Sequence, residues 1–133
     1  MKKVLFSLLL AGSLGLVSCQ KEEIPAPAGN NGSTQAQNIT VEYKIYAASG
    51  NVVIQYMAPG TNGELQLTSE TSNRLETNIT FEYQRGNTFS IKANNTSNSS
   101  DEVIVEIYSN GVLQKTATAN APGATAYAEV KIN

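Results

Sequence analysis

From Ile39 to the end of the chain, apolar and polar residues alternate with a period of two, and no stretch keeps the 3.6-residue period of an amphipathic helix. This pattern constrains the fold more than any other property of the sequence. In "ITVEYKIYA", Val41, Tyr43 and Ile45 share one face, while Thr40, Glu42, Lys44 and Tyr46 share the other. After the turn cluster Ser49-Gly50-Asn51, "VVIQYM" sets Val52, Ile54 and Tyr56 together. A loop from Ala58 to Gly63 leads into "ELQLT", a short strand expected to point Leu65 and Leu67 inward. Leu75, Thr77, Ile79, Phe81 and Tyr83 then oppose Glu76, Asn78, Thr80 and Glu82 in the clearest amphipathic strand of the chain.

Arg85-Gly86-Asn87 turns the chain into "TFSIKA", with Phe89 and Ile91 inward, and "DEVIVEIY" sets Val103, Val105 and Ile107 on one face. A type I′ turn needs positive φ at both central residues, and Asn110-Gly111 meets that need at little steric cost. The pair therefore predicts a hairpin joining Val103–Ser109 to Val112–Ala119. In the last strand, Thr125 to Ile132, the inward residues are Ala126, Ala128, Val130 and Ile132. Seven or eight short strands with turn signals between them predict an all-β fold, a single antiparallel β-sandwich of immunoglobulin-like shape over residues 39–133.

The residues before this domain follow a different logic. Met1-Lys2-Lys3 is basic, Val4 to Val17 is an apolar run, and the small residue Ser18 precedes Cys19. This is the pattern of a secretion signal covering residues 1–18. As a helix the apolar run would span only about 21 Å of a hydrocarbon core roughly 30 Å thick, too short for a membrane span. Residues 19–38 then form a tether, because "IPAPAGNNGSTQAQN" breaks helices with Pro25 and Pro27 and is otherwise rich in Gly, Asn, Ser and Gln. Fully extended it reaches about 60 Å, and as a random coil it averages roughly 25 Å end to end.

"LVSC", Leu16 to Cys19, resembles the lipobox of bacterial lipoproteins. The resemblance implies cleavage before Cys19, a diacylglycerol on its thiol and an acyl group on its new amino terminus. Several acyl chains hold a protein on a membrane durably, since each buried CH₂ contributes about 0.8 kcal/mol. Gln20-Lys21-Glu22-Glu23 resembles the export signal of surface lipoproteins in Bacteroidota-type bacteria, which implies an address on the outer face of the outer membrane.

Composition narrows the function further. His and Trp are absent and Cys19 is the only cysteine. A Ser-His-Asp or Cys-His nucleophile and a typical zinc site are therefore not expected. Once Lys2 and Lys3 leave with the signal, seven basic and eleven acidic residues remain, a formal −4. Without a Lys/Arg cluster there is no footprint for nucleic acid. Glu102 and Glu106 lie about 13 Å apart along one strand, wider than a glycosidase pair needs. "NNTSNSSDE", Asn94 to Glu102, offers many oxygens but lacks the spaced acids of a calcium loop, and reads as a flexible polar loop. No metal or other cofactor is expected, and the chain reads as a non-enzyme.

Tyrosines are the remaining candidates for recognition. Alternation sends Tyr43, Tyr56 and Tyr83 to the core and leaves Tyr46, Tyr108 and Tyr127 outward, a trio that could bind a protein or a glycan if the strands bring it together. The segment from Val41 to Ile132 also resembles the extracytoplasmic domain of the MmpS-type small membrane protein family, through "VEYKIYA", "NVVIQYMAPG", "TNITFEYQRGNTFSIKANN", "VIVEIYSNGVLQKTATA" and "AYAEVKI". That resemblance implies a β-sandwich and an accessory role beside an MmpL/RND-type export transporter. The chain departs from the family in lacking its Pro-Trp pair before the middle strand, where "NRLETNI" stands, and in carrying a lipobox in place of its transmembrane helix. Two expectations follow: a surface-anchored binding module, or a periplasmic transporter subunit.

Overall fold

A computed structural model describes residues 37–133, so the signal, Cys19 and the charged residues behind it lie outside the described residues. The described chain is all-β. Its eight strands are β1 (Asn38–Ala47), β2 (Val52–Pro59), β3 (Leu65–Ser72), β4 (Glu76–Gln84), β5 (Thr88–Asn95), β6 (Val103–Ser109), β7 (Val112–Ala119) and β8 (Thr125–Lys131). They form two four-stranded antiparallel sheets, ordered β4-β1-β6-β7 and β3-β2-β5-β8. The sandwich expected from the alternation is therefore present, with its strands close to the expected bounds.

The core lies between the sheets and is built from the alternating residues. Val41, Tyr43 and Ile45 of β1, Val52 and Ile54 of β2, Phe89 and Ile91 of β5, and Val103, Val105 and Ile107 of β6 are all buried. These come from the two central strands of each sheet, which is why β1, β2, β5 and β6 alternate most cleanly in sequence. The Asn110-Gly111 hairpin forms as expected, with φ of 48° and 77° and Ser109 paired to Val112. The Asn110 side chain adds a tie that sequence does not reveal, accepting a 2.9 Å bond from the Thr40 N–H on β1.

The two sides of the sandwich differ. On one side, Ala117 and Ala119 of β7 face Ala126 and Ala128 of β8 across the gap, and such small side chains let the sheet edges meet. On the other side β3 and β4 hardly touch. The cause is the register of β3: Tyr56 stands opposite Thr68, Ile54 opposite Glu70 and Val52 opposite Ser72. Directly opposed residues share a face, so β3 turns Thr68, Glu70 and Ser72 toward the interior side.

This register corrects the expectation for Leu67, which pairs with Met57 on the outer face and is 64% exposed. Leu75, expected to lead the inner face of β4, is also out in solvent at 67%, in the crossover before that strand. Leu65 is half-buried against the core as expected. Replacing Leu67 with Ser should shift unfolding free energy by less than about 0.5 kcal/mol. An inward leucine at that position would cost roughly 2–5 kcal/mol on truncation, so a denaturant titration decides the register.

Candidate functional site

The parting of β3 from β4 leaves a slot along one side of the sandwich, pinned at each end by a single side-chain hydrogen bond. At one end Ser72 Oγ and Thr77 Oγ1 lie 2.7 Å apart, and at the other Tyr83 Oη donates to the Gly63 carbonyl at 3.1 Å. Aromatic rings of β1, β2, β4 and β5 cluster in the interior beside β4. Tyr43 meets Tyr56 at 5.8 Å and Phe81 at 5.6 Å between centroids, and Phe89 lies 6.2 Å from both Phe81 and Tyr83. Tyr43 and Phe89 are fully buried, whereas Phe81 and Tyr83 on β4 keep part of their surface open because no strand covers them. Edge-to-face contacts of this kind contribute about 0.5–1.5 kcal/mol each beyond area burial.

Tyr43 is the centre of this cluster. Its hydroxyl donates to the Met57 carbonyl at 2.8 Å, just past Tyr56 and Ile91, where the β2–β5 pairing ends. It thus satisfies a carbonyl that the ladder leaves free. Burial pushes the phenol well above the ordinary tyrosine range. Burial also raises Tyr56, and the Glu70 carboxylate raises it further. That coupling agrees with the register that turns Glu70 toward the interior side.

At the Ser72–Thr77 end the slot widens into a cleft of about 490 Å³, lined by Glu70, Ser72, Asn73, Arg74, Thr77 and Asn78, with Ile79 as its apolar member. The Ser72 hydroxyl also accepts from the Arg74 N–H at 3.2 Å, which shapes the crossover between the strands. Among the described residues the only ion pair is Lys44–Glu42, so neither Glu70 nor Arg74 is neutralised by a partner there.

The outward tyrosines do not form one surface. Tyr46 on β1 and Tyr108 on β6 share the outer face of the β4-β1-β6-β7 sheet with backbone positions offset by about 13 Å along the strands, and, after the Glu106 hydrogen bond, Tyr46 contributes a little to raising the Tyr108 phenol. Tyr127 lies in β8, paired with Lys92 on the other sheet. Alternation told which face each ring takes, not which sheet carries it. Tyr46 lines a smaller cleft of about 220 Å³ with Ala47, Ala48, Leu75, Glu102 and Ile104.

Tyr108 belongs to a polar network, with Lys44 Nζ 4.7 Å above its ring and its hydroxyl donating to Glu106 at 2.8 Å. That bond to Glu106 is the main reason its phenol is raised from 10.0 to about 12. Tyr127 is raised in the same way by donating to Glu129, so an ultraviolet pH titration should find two surface phenols ionising late, and Glu106→Gln should bring only Tyr108 back toward the ordinary value. Of the two glutamates expected along one strand, Glu106 lies in β6 and accepts from Tyr108, while Glu102 precedes the strand.

The Asn94–Glu102 segment is organised around Asn95, whose side chain is buried. Its Nδ2 donates to the Ser99 and Asp101 carbonyls, both at 3.1 Å, and its Oδ1 accepts from Ser97 N–H at 2.9 Å and Ser97 Oγ at 2.6 Å. Ser99 in turn donates to the Asp101 carboxylate. The oxygens of this loop are thus turned on one another. Among the described residues no three His, Cys, Asp or Glu side chains gather as metal ligands.

Sequence reasoning missed the slot. Its signal was the run Gln66, Thr68, Glu70 and Ser72, polar at every second position, hidden because Leu65 and Leu67 on the alternate positions claimed the inner face. No protein-family model and no curated protein matches this chain.

Proposed function

We propose that this protein is a bacterial outer-membrane lipoprotein, displayed on the cell surface, whose β-sandwich is a non-enzymatic binding module. The open side between β3 and β4 carries the binding part of this reading: two uncompensated charges, several hydroxyls and amides, and the apolar Ile79 line one cleft there. Pockets that combine a few convergent polar groups with apolar walls are the usual form of a ligand site. The anchoring part is supported by the sequence, through Cys19 between an apolar run and a charged tether. The Gln20-Lys21-Glu22-Glu23 stretch supports the outward address.

Cell fractionation tests the anchor. The native protein should sediment with the outer membrane, and Cys19→Ala, which leaves nothing to acylate, should release the domain or leave it as an uncleaved precursor. A Cys19→Ala variant that is processed and sediments with the outer membrane as the native protein does would end the lipoprotein reading.

A further inference from the structure

We infer that the cleft at the β3–β4 crossover binds a neutral oligosaccharide of two or three sugar units. The inference rests on the binding-module reading and adds the place and the class of ligand. Its walls present both hydrogen-bonding polarities: Arg74 offers only donors, Glu70 only acceptors, and Asn73 and Asn78 offer both. Vicinal sugar hydroxyls donate and accept at short, fixed spacing, which suits an arginine fork on one side and a carboxylate on the other.

Charge selects against ionic ligands. Glu70 and Arg74 sum to zero and have no ion-pair partner among the described residues, so an anion or a cation would gain from one group and lose to the other. A ligand without net charge can engage both. The cleft also holds more than one ring, at about 490 Å³, within the usual range of ligand pockets. Ile79 gives the apolar C–H face of a ring a surface to rest on.

Because the polar side chains stand on two strands of different sheets and on the crossover between them, the cleft is set by the fold. Ser72 and Thr77 clamp the two edges at 2.7 Å, and Ser72 also fixes the Arg74 backbone. Glu70 and Arg74 themselves are exposed. Substituting them should leave the core intact.

The test uses the full-length lipoprotein in a zwitterionic detergent without a sugar headgroup. Neutral trisaccharides of glucose, mannose, galactose and N-acetylglucosamine are the probes, read by saturation-transfer difference NMR and calorimetry. At least one should bind with a dissociation constant of about 1 mM or tighter. Arg74→Ala and Glu70→Gln should each weaken it by roughly tenfold or more, with unchanged thermal midpoints, and Tyr127→Ala on β8, at the opposite edge of the sheet from β3, should not alter it. Failure of every probe to bind at about 10 mM, or binding that ignores Arg74 and Glu70, would overturn the inference. Because this readout is made on purified protein, it fails or succeeds separately from the membrane anchoring.

Discussion

Tyr43→Ala should cost the domain about 3–5 kcal/mol of stability, the range for deleting a large buried ring, and should be the most damaging substitution along the slot. The ring is fully buried, touches Tyr56 and Phe81, and its hydroxyl occupies the Met57 carbonyl where two strands part. Tyr43→Phe separates these contributions. It keeps the packing and leaves the carbonyl without its donor, for about 1–3 kcal/mol. Urea titration of the two variants measures both.

The same phenol makes stability depend on alkaline pH. In the unfolded chain it ionises near pH 10, while burial keeps it protonated in the native state well beyond that. Its contribution is therefore complete below about pH 10 and declines as pH rises above it, because only the unfolded state gains by releasing the proton. Tyr43→Phe should flatten that alkaline loss. An equal loss in the variant would mean that the buried phenol is not its source.

Asn95→Ala is the second large expected loss, about 2–4 kcal/mol, since four side-chain hydrogen bonds disappear together. Hydrogen exchange should show residues 96–101 losing protection before the sheets do. Asn95→Asp makes the sharper comparison at pH 7. It keeps the oxygen that holds Ser97 but aims a carboxylate at the Ser99 and Asp101 carbonyls, so its penalty should shrink in acid as the carboxyl takes up a proton. A stability change below about 0.5 kcal/mol in Asn95→Ala would show that the loop does not depend on this side chain.

These two residues also mark the limit of what the sequence makes legible. Tyr43 falls on the inner face by counting every second residue, and the Asn110-Gly111 turn follows from its local backbone demand, so both are readable without a structure. Asn95 is not readable in that way. It sits in "NNTSNSSDE", where composition says loop, and only the folded chain buries one amide and turns its neighbours around it.

The slot was hidden for a related reason. Period-two alternation gives two faces but does not say which one a neighbouring sheet covers, and at β3 Leu67 takes the outer one while Thr68 and Glu70 take the inner. Leu67 and Tyr127 illustrate the two halves of this ambiguity, the first in its face and the second in its sheet. Central strands escape it because both their neighbours enforce the same register. Edge strands such as β3 and β4 carry less of that constraint, and the candidate site lies between them.

Protease shaving of intact cells, with a triple alanine variant of Lys21, Glu22 and Glu23 beside the native protein, tests the proposed surface display of the domain. The native domain should be cleaved from whole cells, while the variant should be protected until the outer membrane is opened. Protection of both would place the domain in the periplasm, contradict the surface binding module, and favour the accessory subunit of an export transporter that the MmpS-type resemblance implies.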